Sequence, residues 1–130
     1  MKWYTHLTCI TLILAATSRF FPLTLGSILF SLIGSLLPDL LEPWLGLPHR
    51  SRYMHNFATG AFLSSLGIFS EYFLALGVGY LHHLVLDATT ATGIYIFNHR
   101  VRGPLRNNNL WHNLLIILIH LIPSTLIILG

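Results

Sequence analysis

The feature that most limits the fold of this chain is a succession of five long apolar stretches, separated by short polar or turn-forming segments. They cover roughly residues 3–18, 21–41, 54–69, 71–91 and 110–129. Three of them approach the ~20 residues that a helix needs to cross the hydrocarbon core of a bilayer. None shows the strict alternation of a half-buried strand, so strands are not expected. The pattern predicts an all-α bundle of about five helices, some of them short or tilted.

Composition indicates that this bundle is embedded in a membrane. Of the 130 residues, 54% are hydrophobic and only 8% are charged, which is too apolar for a soluble domain of this size. A chain of this length is expected to form a single domain. The first stretch also fits a secretory signal peptide, because a basic second residue precedes a short apolar core and small residues near Ala16. That alternative stays open.

The basic residues predict the orientation of the bundle. If every apolar stretch crosses the membrane, six of the seven Lys and Arg residues fall on one side: Lys2, Arg50, Arg52, Arg100, Arg102 and Arg106. Basic loops are retained on the cytoplasmic side, so we expect a multi-pass protein of the inner cell membrane with a cytoplasmic N-terminus. The net charge of +3 then reflects topology. Membrane lipid is the expected partner, no nucleic acid is expected, and the oligomeric state stays open.

Several ionisable side chains fall near the same predicted inner face: His6, Asp39, His49, His55, His83 and Asp87. Such groups are costly inside a membrane and normally face a cavity or a partner. His83 and Asp87 are four residues apart, so both project from one face of a helix, whereas His82 points to a different side. The pattern predicts a polar site built from several helices.

Metal binding is the chemistry that this pattern favours. Imidazole and carboxylate ligands such as His6, Asp39, His55, His83 and Asp87 suit Zn²⁺, and they also accept Mn²⁺ or Fe²⁺. The set is larger than one zinc ion needs. One or two ions are therefore expected, with Asp39 or Asp87 as a bridging ligand.

Four segments resemble, in order, the motifs of the YdjM-like family of membrane-bound metal-dependent hydrolases, which includes LexA-regulated inner-membrane proteins. These segments are "YTHL" at 4–7, "GSLLPDLLEP" at 34–43, "HRSRYMHN" at 49–56 and "GYLHHLVLDATTATG" at 79–93. The resemblance implies that His6, Asp39, His49, His55, His83 and Asp87 form the metal-binding and catalytic set. The motif style is similar to that of zinc-dependent phospholipases C and helical zinc nucleases, which implies hydrolysis of a phosphoester, including that of a lipid headgroup. After Asp39 the chain departs from the family pattern and leaves Glu42 as the candidate second acid.

The expected reaction is attack of a metal-activated water on a phosphorus or carbonyl centre at the cytoplasmic interface. Asp39, His55 and Asp87 are the expected catalytic residues, and Arg50 and Arg52 are expected to bind an anionic substrate. A non-enzymatic membrane scaffold or lipid-binding protein with a structural or degenerate metal site is the main alternative. A small metal or proton transporter is less favoured, because the outer half of the bundle offers few polar groups.

Overall fold

The computed structural model describes all 130 residues and is mostly helical, which confirms the predicted fold class at that level. The helices are α1 (Trp3–Thr17), α2 (Leu25–Trp44), α3 (Phe57–Ser65), α4 (Glu71–Ala88) and α5 (Leu110–Leu129). A 3₁₀ turn, Leu66–Ile68, extends α3. Helix α4 lies at the centre and packs against α2, α3 and α1, while α1 also packs against α5 and α2.

Side-chain caps set the starts of four helices. Thr24, Asn56, Ser70 and Asn109 each accept a hydrogen bond from a backbone N–H in the first turn that follows, as capping residues do. Helices α2 and α3 therefore begin four and three residues later, respectively, than the apolar stretches predicted. At its other end, α2 continues through Pro38 and Pro43, although each proline removes a helical hydrogen bond. The predicted end near residue 41 is too early.

The segment between α4 and α5 contains a β-hairpin, so the expectation of no strands is wrong there. Strand β1 (Ile94–Ile96) pairs antiparallel with β2 (His99–Val101), and Tyr95 lies opposite Arg100. Each strand has three residues, which is too short for a period of two to be visible in the sequence. The Tyr95 backbone N–H donates to the His55 carbonyl at 2.7 Å, which attaches the hairpin to the segment before α3.

Two glycines allow α2 and α4 to approach closely. A Cβ atom on Gly79 would lie 2.0 Å from the Ser31 carbonyl oxygen, and one on Gly34 would lie 2.1 Å from the Leu76 carbonyl oxygen. Small residues at such crossings let helix backbones come into contact inside membranes. The same crossing brings the Ser35 carbonyl to the His83 ring, so the glycines help to position a candidate site residue.

The chain start and two connecting segments meet at one end of the bundle, which we call the site end: residues 1–2, 45–56 and 89–109. Lys2 N–H donates to Asn113 Oδ1 at 3.3 Å, which joins the start of α1 to the start of α5. Leu105 N–H donates to the Thr89 carbonyl at 3.0 Å. The site end contains six of the seven basic residues of the chain.

Helices α2 and α5 are long and apolar enough to cross a membrane, whereas α1 and α3 with its extension are apolar but shorter. The distribution of polarity is unusual, because the buried residues other than glycine and proline comprise ten hydrophobic and thirteen polar or charged ones. Large apolar side chains of α5 are exposed instead, among them Leu118, Ile119 and Ile122. The molecule thus presents apolar surface outwards and encloses polar groups.

Candidate metal centre

Four side chains with metal-ligating atoms converge at the site end: Asp39 on α2, His55 just before α3, and His83 and Asp87 on α4. One donor atom of each lies within 4.8 Å of the donors of the other three. The side chains of His55, His83 and Asp87 are fully buried, and that of Asp39 is 28% exposed. The four-residue spacing of His83 and Asp87 places both on one helical face, as the sequence predicted.

The separations between these donor atoms are short and similar. His55 Nε2 lies 3.3 Å from Asp39 Oδ1 and 3.4 Å from Asp87 Oδ2. His83 Nε2 lies 3.8 Å and 3.3 Å from the same two oxygens. The two Nε2 atoms are 3.4 Å apart. A tetrahedral zinc ion with ligand distances of about 2.0–2.1 Å holds its ligand atoms about 3.3–3.4 Å apart, so four of these five separations match the spacing of such a site.

Hydrogen bonds on the far side of each ring orient the two imidazoles. His83 Nδ1 lies 2.7 Å from the Ser35 carbonyl oxygen, and His55 Nδ1 lies 2.7 Å from Glu42 Oε1. Both oxygens only accept, so each Nδ1 carries a proton and donates it. Each Nε2 is then the ring nitrogen that can coordinate a metal. Metal-binding histidines in proteins are commonly held in this way by a carbonyl or a carboxylate.

The centre of the cluster contains buried polar atoms without a hydrogen-bond partner, namely Asp39 Oδ1, Asp87 Oδ2 and both ring nitrogens of His6. Buried polar groups are normally hydrogen-bonded, and a group that is not calls for an explanation. Two carboxylate oxygens without a hydrogen bond, beside two imidazole nitrogens, form a set of donor atoms that a metal cation would satisfy. The residues present therefore fit a divalent metal ion.

The charge state of His55 supports the same conclusion. Burial alone lowers the pKa of His55, but the nearby carboxylates of Asp39, Asp87 and Glu42 raise it to about 9. In the metal-free protein at neutral pH, the His55 ring is thus an imidazolium that directs positive charge at the carboxylates. A metal ion at the centre would take the place of that proton.

Two of the predicted ligands lie beside the four-donor set. His6 is fully buried, stacks on His83 with ring centroids 3.9 Å apart, and has Nε2 at 3.4 Å from Asp87 Oδ1. His49 has a side chain that is 70% exposed, with Nδ1 at 3.3 Å from Glu42 Oε2. Together with Asp39 and Glu42, His49 forms a second, looser group of donors. Asp39 belongs to both groups.

Glu42 supports the site from behind His55. Besides the His55 ring, its carboxylate accepts hydrogen bonds from the backbone N–H groups of Arg50 and Ser51, each at 2.7 Å. Arg50 has a φ of 60°, a left-handed conformation that non-glycine residues seldom adopt. This conformation aims two successive N–H groups at one carboxylate, which is an anion-binding arrangement of the backbone. With its oxygens engaged in this way, Glu42 orients His55, and Asp39 stays the free carboxylate of α2.

The two predicted substrate-binding arginines differ in accessibility. The Arg50 side chain is 3% exposed, and its guanidinium lies 2.8 Å from Asp87 Oδ2 in an ion pair that lacks the alignment of a hydrogen bond. It also donates to Thr90 Oγ1 and to the Gly93 carbonyl, each at 3.2 Å. Arg50 is thus an internal counter-ion of Asp87 and does not present its charge to solvent. Arg52 is exposed and contacts Tyr53.

Asp87 has a second cationic neighbour, the N-terminal ammonium group of Met1, which is buried against Oδ1. Sequence reasoning missed this contact, the Ser35 carbonyl and the inward side chain of Arg50. The sequence spacing could have predicted that Glu42 lies beside the site, because Glu42 follows Asp39 by three residues and so lies on the same face of α2. His82, set apart from the ligands by sequence reasoning, packs edge-on against His120 with ring centroids 5.6 Å apart.

The arrangement can hold one divalent ion through two nitrogen and two oxygen atoms, a mixed donor set that suits Zn²⁺ and is also acceptable to Mn²⁺ and Fe²⁺. Of the four donor side chains, only that of Asp39 is partly exposed. Comparisons with family models, with curated proteins and with solved structures found no match to this chain.

Proposed function

We propose that this chain is a membrane-embedded, metal-dependent hydrolase that holds a divalent ion, Zn²⁺ in preference to Mn²⁺ or Fe²⁺, between Asp39, His55, His83 and Asp87. The observation that carries the proposal is the set of donor separations of 3.3–3.8 Å around two buried carboxylate oxygens that lack a hydrogen bond. A divalent cation between these atoms would supply the partner that both oxygens lack.

The outward apolar surface supports a membrane location. A contiguous face of exposed leucine and isoleucine along α5 is costly in water and favourable against lipid. The site end carries Lys2 and the five arginines of the two connecting segments, which favours a cytoplasmic site end and a cytoplasmic N-terminus. The metal centre would then lie at the inner interface, within reach of a substrate in the cytoplasmic leaflet.

A divalent ion, when bound, polarises an anionic substrate and supplies a water-derived nucleophile at neutral pH. The protein residues divide the remaining tasks. Ser35 and Glu42 hold the two imidazoles in the coordinating orientation. Arg50 balances the charge of Asp87. Asp39 is the carboxylate at the opening of the site, where it can orient a water molecule and accept its proton. The resemblance to membrane-bound metal-dependent hydrolases supports a phosphoester or a related bond as the target.

A structural metal site in a non-enzymatic scaffold or lipid-binding protein is the second candidate, and one observation favours it. Three of the four donor side chains are fully buried, and structural zinc sites are closed whereas catalytic ones keep an open position. The partial exposure of Asp39 favours the catalytic candidate. The two differ in turnover, because a structural site holds its metal without hydrolysing any substrate.

Metal analysis of the purified chain in detergent tests the metal centre directly. We expect bound zinc in the wild-type protein and in His82→Ala, and loss of zinc in His83→Ala. His82 is a matched control, since it is the neighbouring histidine on the same helix and packs against His120 instead. Circular dichroism would establish that all three proteins are folded. Equal zinc content in His83→Ala and His82→Ala would refute the metal centre.

Turnover separates the two candidates once zinc is found. The wild-type protein should hydrolyse a chromogenic phosphodiester, lose that activity after chelation and regain it when zinc is returned. Asp39→Asn keeps the shape of the side chain at a partly exposed position and should remain folded. Zinc binding without any turnover on phosphoesters or phospholipids would favour the structural candidate.

A further inference from the structure

A second feature of the site end is a cavity of about 470 Å³ whose charged lining residues are all arginines. His49, Arg50, Arg52 and Arg100 line it, together with Tyr53 and Tyr95, and no carboxylate does. Cavities of this size are in the range that binds small ligands. Positive charge concentrated in a concave surface attracts anions.

The two exposed arginines of this cavity are held in place by aromatic rings. The Arg52 guanidinium lies 5.1 Å from the centre of the Tyr53 ring, and that of Arg100 lies 5.4 Å from the centre of the Tyr95 ring. Each makes one further hydrogen bond, Arg52 to the Tyr53 hydroxyl and Arg100 through Nε to the Thr92 carbonyl. Neither is paired with a carboxylate, so most of their N–H donors are free. Stacked guanidinium groups with free donors are suited to binding phosphate.

The cavity shares a wall with the metal centre. Residues 48–53 line the cavity, and the same segment sends two backbone N–H groups to Glu42 and the Arg50 side chain to Asp87. The β-hairpin supplies the rest of the lining, Tyr95 and Arg100, which are paired across the two strands. An anion bound by Arg52 and Arg100 would therefore lie next to the metal ligands.

We infer that this cavity is a phosphate-binding subsite formed by Arg52 and Arg100 with His49 at its edge, and that the substrate of the metal centre carries a phosphate group. The inference rests on the proposed function for the role of the metal, but the subsite itself is independent of the metal. Arg52 and Arg100 thus take the place of the predicted pair Arg50 and Arg52, since Arg50 already forms an ion pair with Asp87. A phospholipid headgroup and a soluble phosphoester share the chemistry that the subsite recognises.

The test uses inorganic phosphate as the probe and the full chain in detergent, stripped of metal with a chelator. Calorimetric titration should show phosphate binding to the wild-type protein. Removing either guanidinium should weaken this binding at least about tenfold, because each makes charge-assisted hydrogen bonds to the anion. The variants are Arg52→Gln and Arg100→Gln. Arg106→Gln is the matched control, since Arg106 is exposed at the site end and does not line the cavity. It should bind phosphate like the wild type.

Two results would overturn the inference: no phosphate binding by the metal-free protein, or equal binding by Arg100→Gln and Arg106→Gln. Zinc content measured on the same samples tells the two proposals apart. Phosphate binding that depends on Arg52 and Arg100 in a chain that never binds zinc would leave the subsite standing and remove the hydrolase. Nanodiscs of phosphatidylcholine with and without phosphatidic acid identify the source. If phosphatidic acid competes with free phosphate, the ligand is a lipid headgroup. If free phosphate binds and phosphatidic acid does not compete with it, the ligand is a soluble phosphoester.

Discussion

Replacement of Glu42 by glutamine tests whether a buried carboxylate of α2 holds His55 in its metal-binding orientation. Oε1 accepts from His55 Nδ1 and from the Ser51 N–H, both at 2.7 Å, and Oε2 accepts from the Arg50 N–H at 2.7 Å. Glutamine has nearly the same shape, but its amide replaces one acceptor oxygen by an NH₂ donor. The change therefore alters hydrogen bonding while leaving the packing almost intact.

Both orientations of the new amide are unfavourable. If its oxygen stays beside His55, its NH₂ group faces the Arg50 N–H, and a buried donor loses its partner at a cost of about 1–3 kcal/mol. If the amide is reversed, its NH₂ group faces His55 Nδ1, which must then accept. The ring proton moves to Nε2, and that nitrogen can no longer bind a metal. Loss of such a supporting group lowers metal affinity by about 10–100-fold, which corresponds to about 1.4–2.7 kcal/mol.

Competition with a chromophoric chelator at neutral pH measures the zinc affinity of this variant. Glu71→Gln is the matched control, because it makes the same chemical change at an exposed position at the start of α4, where Glu71 accepts only from the Thr24 hydroxyl. We expect the control to bind zinc like the wild type. If Glu42→Gln binds zinc as tightly as Glu71→Gln, the argument that Glu42 orients a metal ligand is wrong.

Two further predictions concern pH and helix packing. Because the pKa of His55 is raised to about 9, zinc must displace a proton at neutral pH, so affinity should rise with pH by up to about tenfold per unit until pH approaches that value. Chelator competition across this interval checks the slope, and a flat profile would exclude His55 as a ligand. In Gly79→Ala, the added Cβ would lie 2.0 Å from the Ser31 carbonyl oxygen, so α2 and α4 must separate and draw Ser35 away from His83. Thermal unfolding should show a loss of about 1–3 kcal/mol, with weaker zinc binding. Gly77→Ala, whose Cβ would meet Ser64 on α3, should lose stability alone, and equal zinc loss in both variants would contradict this account.

The sequence predicts the helices well because long apolar runs determine them almost without tertiary information. The pairing of His83 with Asp87 follows in the same way, since helical periodicity is local. The direction of Arg50 does not follow, because it depends on a left-handed backbone conformation that the sequence of residues 48–53 does not signal. The sequence does not single out Arg100 for the predicted substrate-binding pair, because its place in the cavity depends on the pairing of two three-residue strands whose partners are fixed by tertiary contacts.

The balance of charge at the site end connects these observations. Three of the four acidic residues of the chain, Asp39, Glu42 and Asp87, meet there, and the permanently charged cation facing them is the Arg50 guanidinium. An uncompensated negative charge in a buried site is strongly unfavourable. A proton on His55 offsets part of this charge, yet Asp39 Oδ1 and Asp87 Oδ2 still lack hydrogen bonds. A divalent ion satisfies both oxygens and both Nε2 atoms at once. Proton and metal therefore compete for one buried centre, and the metal is the occupant that gives all four of these atoms a partner.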